Sequence, residues 1–308
     1  METIAVLATG QMGSSFAACI RAANPSIRLL TDLSSRSSRT KRLAQEAGFS
    51  DVGSLDAVLQ QADVLLSVLV PDQALSFAQE VGEKAKALSA QGRLRTRFFV
   101  DLNAVAPLTV QQAARAFEGL PLEFVDGSII GGPASATYAP FIALSGPATA
   151  VAELNVFLHP LFLGSAKVVG VTIGGASALK MSFASLTKGL LSLCTGAAVL
   201  AESYGVTQAL QSQLEESRPA IYKVLTDEVP KNTAKAFRWV GEMQQIAQAY
   251  EGAGIPFGTR TFEGIAEVQR FVAESKLGDE PIEENLKAVK EGRTLEDVVR
   301  KLKEGKRD

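Results

Sequence analysis

Lys180 lies in an apolar run two turns past the glycine pair Gly174-Gly175, and a second lysine, Lys188, follows in the same run. An amine buried in such surroundings has its pKa lowered, because desolvation disfavours the charged form; an oxidised nicotinamide beside it acts in the same direction. It would then exchange a proton near neutral pH. Alcohol oxidation and carbonyl reduction need such a group beside a hydride carrier. The other reading is snorkelling, in which the lysine buries its stem and keeps its amine in water.

The N-terminal residues suggest where a hydride carrier would sit. Ile4-Ala5-Val6-Leu7 reads as a strand, Ala8-Thr9-Gly10-Gln11-Met12-Gly13 as a tight turn, and residues 14–20 as the start of an amphipathic helix. In that setting Gly10 lets the backbone approach a pyrophosphate. Gly13 lets the helix pack on the strand, and the free N–H groups of the helix start, around Gln11 and Met12, face the anion. Ala8 stands where the first glycine of a G-x-G-x-x-G turn belongs, and alanine serves there if φ stays negative.

The next strand ends near Thr31 and is followed by Asp32, then by Arg36, Ser37 and Arg39. An acidic residue here holds the ribose hydroxyls of NAD, whereas arginine with serines holds the extra phosphate of NADP. Asp32 falls at the strand end and the arginines in the loop leading into a helix, a placement that favours NADP over NAD. The same serines and arginines also suit capping and solvating that helix, which leaves the cofactor open.

Three further loops lie where ligands of open α/β sheets bind, beyond the carboxyl ends of strands. Val70 and Pro71 close one strand and offer backbone to the cofactor. Asn103, in Asp101-Leu102-Asn103, could bond the carboxamide of a nicotinamide ring or simply cap the following helix. In residues 126–133, Ile130-Gly131-Gly132 precede a proline, and consecutive glycines either expose N–H groups to a small anion or carbonyl oxygen or only make a bend.

The elements that must position these residues follow from periodicity. Apolar strands at 4–7, 27–30, 64–69 and 98–100 alternate with helical stretches, the pattern of βαβ units, and further strands are expected at 123–125, 142–144 and 166–169. The expectation is an α/β fold: an N-terminal Rossmann-type, doubly wound sheet of about seven or eight strands over residues 1–170, then an all-α domain over 171–308. The second domain begins with a long apolar helix at 176–204, followed by helices at 207–216, 218–225, 233–252 and 261–276 and two short charged ones. From about 278 the chain is charge-rich and expected to be a solvated arm. The long helix is apolar on so many faces that a second subunit is expected to cover part of it, making a homodimer.

With 308 residues and a formal net charge of -2, and no block of lysine or arginine, nucleic acid is not expected as a partner. Cys19 and Cys194 each sit in an apolar helical pattern and read as buried thiols, and the single histidine, His159, forms no zinc spacing with them, so no metal is expected. The chain starts directly on a strand, without a basic n-region, and no apolar run reads as a membrane span, so a cytoplasmic protein is expected.

The order of these blocks resembles that of the β-hydroxyacid dehydrogenases and 6-phosphogluconate dehydrogenase. Their G-x-G-x-M-G turn looks like Ala8 to Gly13, with Met12 in place. Their aspartate-led strand end looks like 101–107 and their substrate loop ending in Gly-Gly looks like 126–132. The resemblance places their catalytic lysine on Lys180, which it implies is the proton donor or acceptor. Further on, residues 177–181, 187–189 and 238–243 look like a subgroup with its own 6-phosphogluconate-dehydrogenase-like helical domain.

Two departures matter. The serine that helps those enzymes hold a substrate carboxylate is here Ile130, and the asparagine one turn after the lysine is here Ala184. An ordinary β-hydroxy acid would lose a hydrogen bond at Ile130. Lys188 or the segment containing Trp239 could supply other substrate contacts, although Trp239 also reads as a core or interface anchor. The resulting expectation is an NADP-dependent oxidoreductase interconverting an alcohol and a carbonyl on a small polar metabolite, with a lysine general acid and base. A C=N reductase and a non-catalytic NADP(H)-binding sensor are the alternatives.

Overall fold

The N-terminal strands carry apolar side chains on both faces, as strands of a parallel sheet do when helices cover each side. The computed structural model describes residues 1–233, 236–278, 280 and 282–304. Eight strands form one sheet: β1 (Thr3–Leu7), β2 (Arg28–Thr31), β3 (Ser50–Asp51), β4 (Val64–Ser67), β5 (Phe98–Asp101), β6 (Glu123–Ile130), β7 (Phe141–Ser145) and β8 (Ala166–Gly170). Their order is β3-β2-β1-β4-β5-β6-β7-β8. Among the described residues only the β6–β7 pair is antiparallel. The order turns back between β1 and β4, which makes their carboxyl ends the switch point where such sheets bind ligands.

Six helices flank the sheet: α1 (Gln11–Ala23), α2 (Ser38–Glu46), α3 (Leu55–Gln61), α4 (Pro71–Ala90), α5 (Pro107–Ala114) and α6 (Ala148–Leu161). Alternation within each strand divides the apolar residues between two cores. Ile4, Val6, Leu66 and Val100 meet Phe16 and Ile20 of α1 and Leu154 of α6 on one face. Ala5, Leu7, Leu65 and Phe99 meet Val58 of α3, Val81 of α4 and Val110 of α5 on the other. Gly13 makes the α1 packing possible, since a Cβ there would stand 2.3 Å from the Ala8 carbonyl oxygen.

The chain divides into two compact units, Met1–Met181 and Ser182–Asp308, and the division falls inside the long helix α7 (Gly175–Ser203). Then come α8 (Thr207–Ser217), α9 (Pro219–Lys223), a π-helical turn (Val224–Glu228), α10 (Val229–Asn232), α11 (Ala236–Gly252), α12 (Gly258–Ala273), α13 (Ile282–Lys290) and α14 (Leu295–Lys303). The second unit's core joins Leu191, Cys194 and Ala198 of α7 with Leu225, Val229, Trp239 and the apolar face of α14.

Several elements differ from the sequence expectation. β3 was not expected; it is two exposed polar residues long. β6 extends to Ile130, so residues 126–130 are strand and the loop begins at Gly131. The helix expected at 261–276 is α12, which starts at Gly258 because its first turn follows directly on Phe257. The helix expected at 233–252 is α11, and residues 234 and 235 of that expectation lie outside the described residues.

The charged segment from 278 is not a solvated arm where it is described: α14 buries Leu295, Val298, Val299 and Leu302, and Arg293 is buried against Glu280 and Asn285. Residues 279, 281 and 305–308 of that segment lie outside the described residues. By length and composition α7 could cross a membrane, contrary to the expectation of no such run; 44% of its apolar window is buried within the protein.

Candidate functional site

At the end of β1 the chain turns into α1 with Gly10 as the N-cap and no side chain capping the helix. The N–H groups of the first turn are therefore left for an anion, which the helix dipole also favours. Gly10 has φ −69°, which any residue adopts, and a Cβ added to it would meet nothing within 4 Å. Neither conformation nor packing requires glycine here, so the open space fits the approach of a ligand backbone such as a pyrophosphate. The hydroxyl of Thr9, buried in the same turn, has no hydrogen-bond partner among the described residues. Gln11 is exposed and Met12 packs on the core below. These residues fit a dinucleotide.

Beyond β2, Asp32, Ser34, Ser35 and Arg36 line a cavity of about 280 Å³ whose far wall includes Phe77 and Lys84 of α4. Asp32 turns back on its own loop, its carboxylate accepting the N–H of Ser34 at 2.9 Å. Ser37 caps α2 by accepting the N–H of Thr40 at 3.3 Å. Arg39, expected in the loop, belongs to the first turn of α2, because the Ser37 cap starts the helix one residue before it. Arg36 thus lines the cavity, while Ser37 has a structural use.

One polar row crosses the carboxyl end of the sheet. Ser67, Asp101, Asp126 and Ser145 are register partners on β4, β5, β6 and β7, and all are buried. Asn103 ties the row to the strand-end turns: its N–H donates to Asp101 at 2.9 Å, its side-chain amide donates to Ser67 Oγ at 3.0 Å, and its carbonyl accepts the N–H of Leu69 at 2.5 Å. The side chain is 2% exposed. It therefore fixes the turn before α4 instead of presenting an amide to a cofactor, and it does not cap α5, whose N-cap is Ala106. Val70 and Pro71 open α4 without a side-chain cap, and the Val70 side chain is exposed, offering an apolar surface as well as backbone. Burial pushes the Asp101 carboxyl up to about 7, and the neighbouring Asp126 adds to the rise.

Asp126 anchors the helix that carries Lys180. Its carboxylate accepts the N–H groups of Gly174, Ala176 and Ser177 at 2.9, 3.0 and 3.1 Å and the hydroxyls of Ser145 and Ser177 at 2.8 and 2.7 Å. An acidic group at a helix N-terminus satisfies the orphan donors and complements the dipole. In the second turn of α7, Lys180 Nζ donates to the carbonyl oxygen of Ile129 at 2.8 Å. Burial lowers its pKa from the usual lysine range. The amine is thus held near the end of β6, at the residue before Ile130.

The loop after β6 folds on itself. Gly131 has φ +135°, and the Gly132 N–H donates to the Tyr138 hydroxyl at 3.3 Å, so the glycine pair is not an open anion nest. Ala134 N–H donates to Ser15 Oγ of α1 at 2.9 Å and ties the loop to the dinucleotide turn's helix. Sequence reading missed Tyr138 and the anchoring role of Asp126. A lone loop tyrosine gives no periodic signal, and the partners of Asp126 lie far along the chain.

In the second unit, Lys188 forms an ion pair with Glu242, and its ammonium stands 5.0 Å from the centre of the Trp239 ring. Trp239 is 9% exposed and belongs to the unit's core. These two residues join α7 to α11, which is the anchoring use of Trp239 and leaves the Lys188 amine with an internal counter-charge.

Residues 3–171 match the family described as the NAD binding domain of 6-phosphogluconate dehydrogenase, and residues 201–272 match one described as a domain of unknown function, DUF1932. Among solved structures, a conserved hypothetical protein from Sinorhizobium meliloti 1021 is 24% identical, with a TM-score of 0.68 over 98% of this chain and 97% of that one. The 3-hydroxyisobutyrate dehydrogenase of Mycobacterium tuberculosis, solved with L-serine, is 18% identical, with a TM-score of 0.67 over 94% of this chain and 99% of that one. An imine reductase variant from Myxococcus stipitatus in complex with NAD+ is 17% identical, with a TM-score of 0.56 over 98% of this chain and 99% of that one. At these identities the likeness is one of fold.

Proposed function

The chain belongs to the family of the 6-phosphogluconate dehydrogenase NAD-binding domain, and from that footing we propose that it is an NADP-dependent oxidoreductase interconverting an alcohol and a carbonyl on a small polar metabolite. The observation that carries this reading is the desolvated amine of Lys180, held by the Ile129 carbonyl at the carboxyl end of β6. When bound, the reduced cofactor supplies a hydride, with its two electrons, to the carbonyl carbon. In reduction the Lys180 ammonium gives a proton to the carbonyl oxygen and recovers one from water. In oxidation the neutral amine takes the hydroxyl proton. The Ile129 carbonyl accepts one N–H and fixes the amine's direction, leaving its remaining capacity for the substrate. Asp126 holds the start of α7, so the second turn that bears Lys180 has a fixed origin.

NADP is favoured over NAD because Arg36 lines the cavity beyond β2 while the Asp32 carboxylate is engaged by its own loop. Reduction of a C=N bond is a second reading, favoured by Ile130 and Ala184 standing where polar handles for a hydroxy acid would be. A homodimer is also proposed. Leu186, Leu193 and Leu200 lie on one exposed stripe of α7, seven residues apart, and a second copy of that stripe is its natural complement.

The test is the Lys180→Met variant assayed for NADPH oxidation with a cyclic imine and with an aldehyde or keto acid. Turnover is expected to fall by about 10²–10⁴ while NADPH affinity holds. Full turnover in the variant overturns the role of Lys180. Binding of NADPH without consumption across the panel, in the unmodified protein, favours a sensor.

A further inference from the structure

Ile130 leaves the end of β6 without a side-chain hydroxyl, but one reaches this turn from the far side of the loop. A Cβ on Gly131 would stand 2.5 Å from Tyr138 Oη, so the phenol occupies the space a side chain at 131 would take. The Gly132 N–H donates to the same oxygen at 3.3 Å. The loop is held in this shape by Ser135 N–H donating to the Tyr138 carbonyl at 2.7 Å and by the tie from Ala134 to Ser15. Lys180 Nζ bonds the carbonyl of Ile129 on β6, two residues before Gly131 opens the loop. Tyr138 is 46% exposed, and among the described residues its O–H donates to no acceptor.

We propose that the Tyr138 hydroxyl positions the substrate by donating its hydrogen to an oxygen on the carbon next to the reacting carbonyl, which fits the site to α-hydroxycarbonyl compounds. This rests on the reading of the protein as a carbonyl reductase. A phenol has one donated hydrogen and two acceptor lone pairs. With one lone pair taken by Gly132, the second lone pair and the hydrogen are left, and the hydrogen is the part a substrate oxygen can accept. A single neutral donor suits a hydroxyl oxygen, whereas a second carboxylate calls for a cation or several donors. Ile130, beside the same turn, offers a carboxylate neither.

The experiment compares glycolaldehyde with acetaldehyde, which lacks the second oxygen, as NADPH-dependent substrates of the unmodified protein, Tyr138→Phe and Ser15→Ala. The unmodified protein is expected to prefer glycolaldehyde. Tyr138→Phe is expected to raise KM for glycolaldehyde about tenfold, the factor one neutral hydrogen bond supplies, with kcat little changed and acetaldehyde kcat/KM within about twofold. Ser15→Ala, which loosens the loop but keeps the hydroxyl, is expected to retain the preference. Equal losses on both aldehydes in Tyr138→Phe, or loss of the preference in Ser15→Ala, assign Tyr138 to loop shape and overturn the proposal. Absence of NADPH oxidation with either aldehyde overturns the carbonyl-reductase reading and this proposal with it.

Discussion

Asp101 and Asp126 are direct cross-strand partners in the β5–β6 ladder, and both carboxyls are buried. They live differently. Asp126 is surrounded by donors from α7 and Ser145, whereas one oxygen of Asp101 has no hydrogen-bond partner among the described residues.

The Asp101 carboxyl, raised to about 7 by burial and by Asp126, binds a proton in the folded protein that the unfolded chain releases from the ordinary aspartate range upward. Its contribution to stability is therefore present at low pH and lost as pH rises to about 7, by at most about 4 kcal/mol. Asp101→Asn, a mimic of the protonated form, is expected to gain stability over the unmodified protein as pH goes from 5 to 8. Urea melts at both values check it, and a pH-independent difference would show a carboxyl of ordinary acidity.

Gly10 and Gly13 separate binding from folding. Gly13→Ala places a methyl against the Ala8 carbonyl and is expected to cost about 1–3 kcal/mol of stability. Gly10→Ala meets open space and is expected to keep the thermal midpoint while weakening NADPH binding at least tenfold. Thermal melts and NADPH fluorescence titrations on both variants are sufficient. Equal NADPH affinity in Gly10→Ala would remove the turn from the cofactor site.

Arg36→Ala is expected to weaken NADPH binding about tenfold or more and to leave NADH within about twofold, since only the former carries the phosphate a guanidinium would hold. Titrating both cofactors decides it. A parallel loss for both would deny Arg36 a part in cofactor choice.

Leu193, 63% exposed at the middle of the α7 stripe, tests the homodimer. The unmodified protein is expected to scatter light at twice the chain mass at micromolar concentration and Leu193→Lys at the single mass. A monomeric mass for the unmodified protein removes the dimer.

What could be read from sequence was what repeats locally. β1, the glycine turn and α1 were legible because strand, turn and helix succeed one another directly between Thr3 and Ala23, and strand and helix each have their own period. β3 was not, because Ser50 and Asp51 are short, polar and exposed, and only pairing with β2 makes them a strand. Asp126 looked like a loop residue because the groups it binds lie 19 to 51 residues away. Asn103 was placed correctly beyond β5, but its engagement with Ser67 and Leu69 depends on the register of β4. The last segment was misjudged from its charge, although Leu295, Val298, Val299 and Leu302 already recur at helical spacing.

That final helix has a practical bearing. A charged tail invites trimming when an expression clone is designed, yet cutting at residue 294 would strip four aliphatic side chains from the interior of the C-terminal unit and bare Leu225 and Val229 beneath them. The shortened polypeptide would present a sticky apolar hollow, so clones intended for crystallisation should run past Lys303.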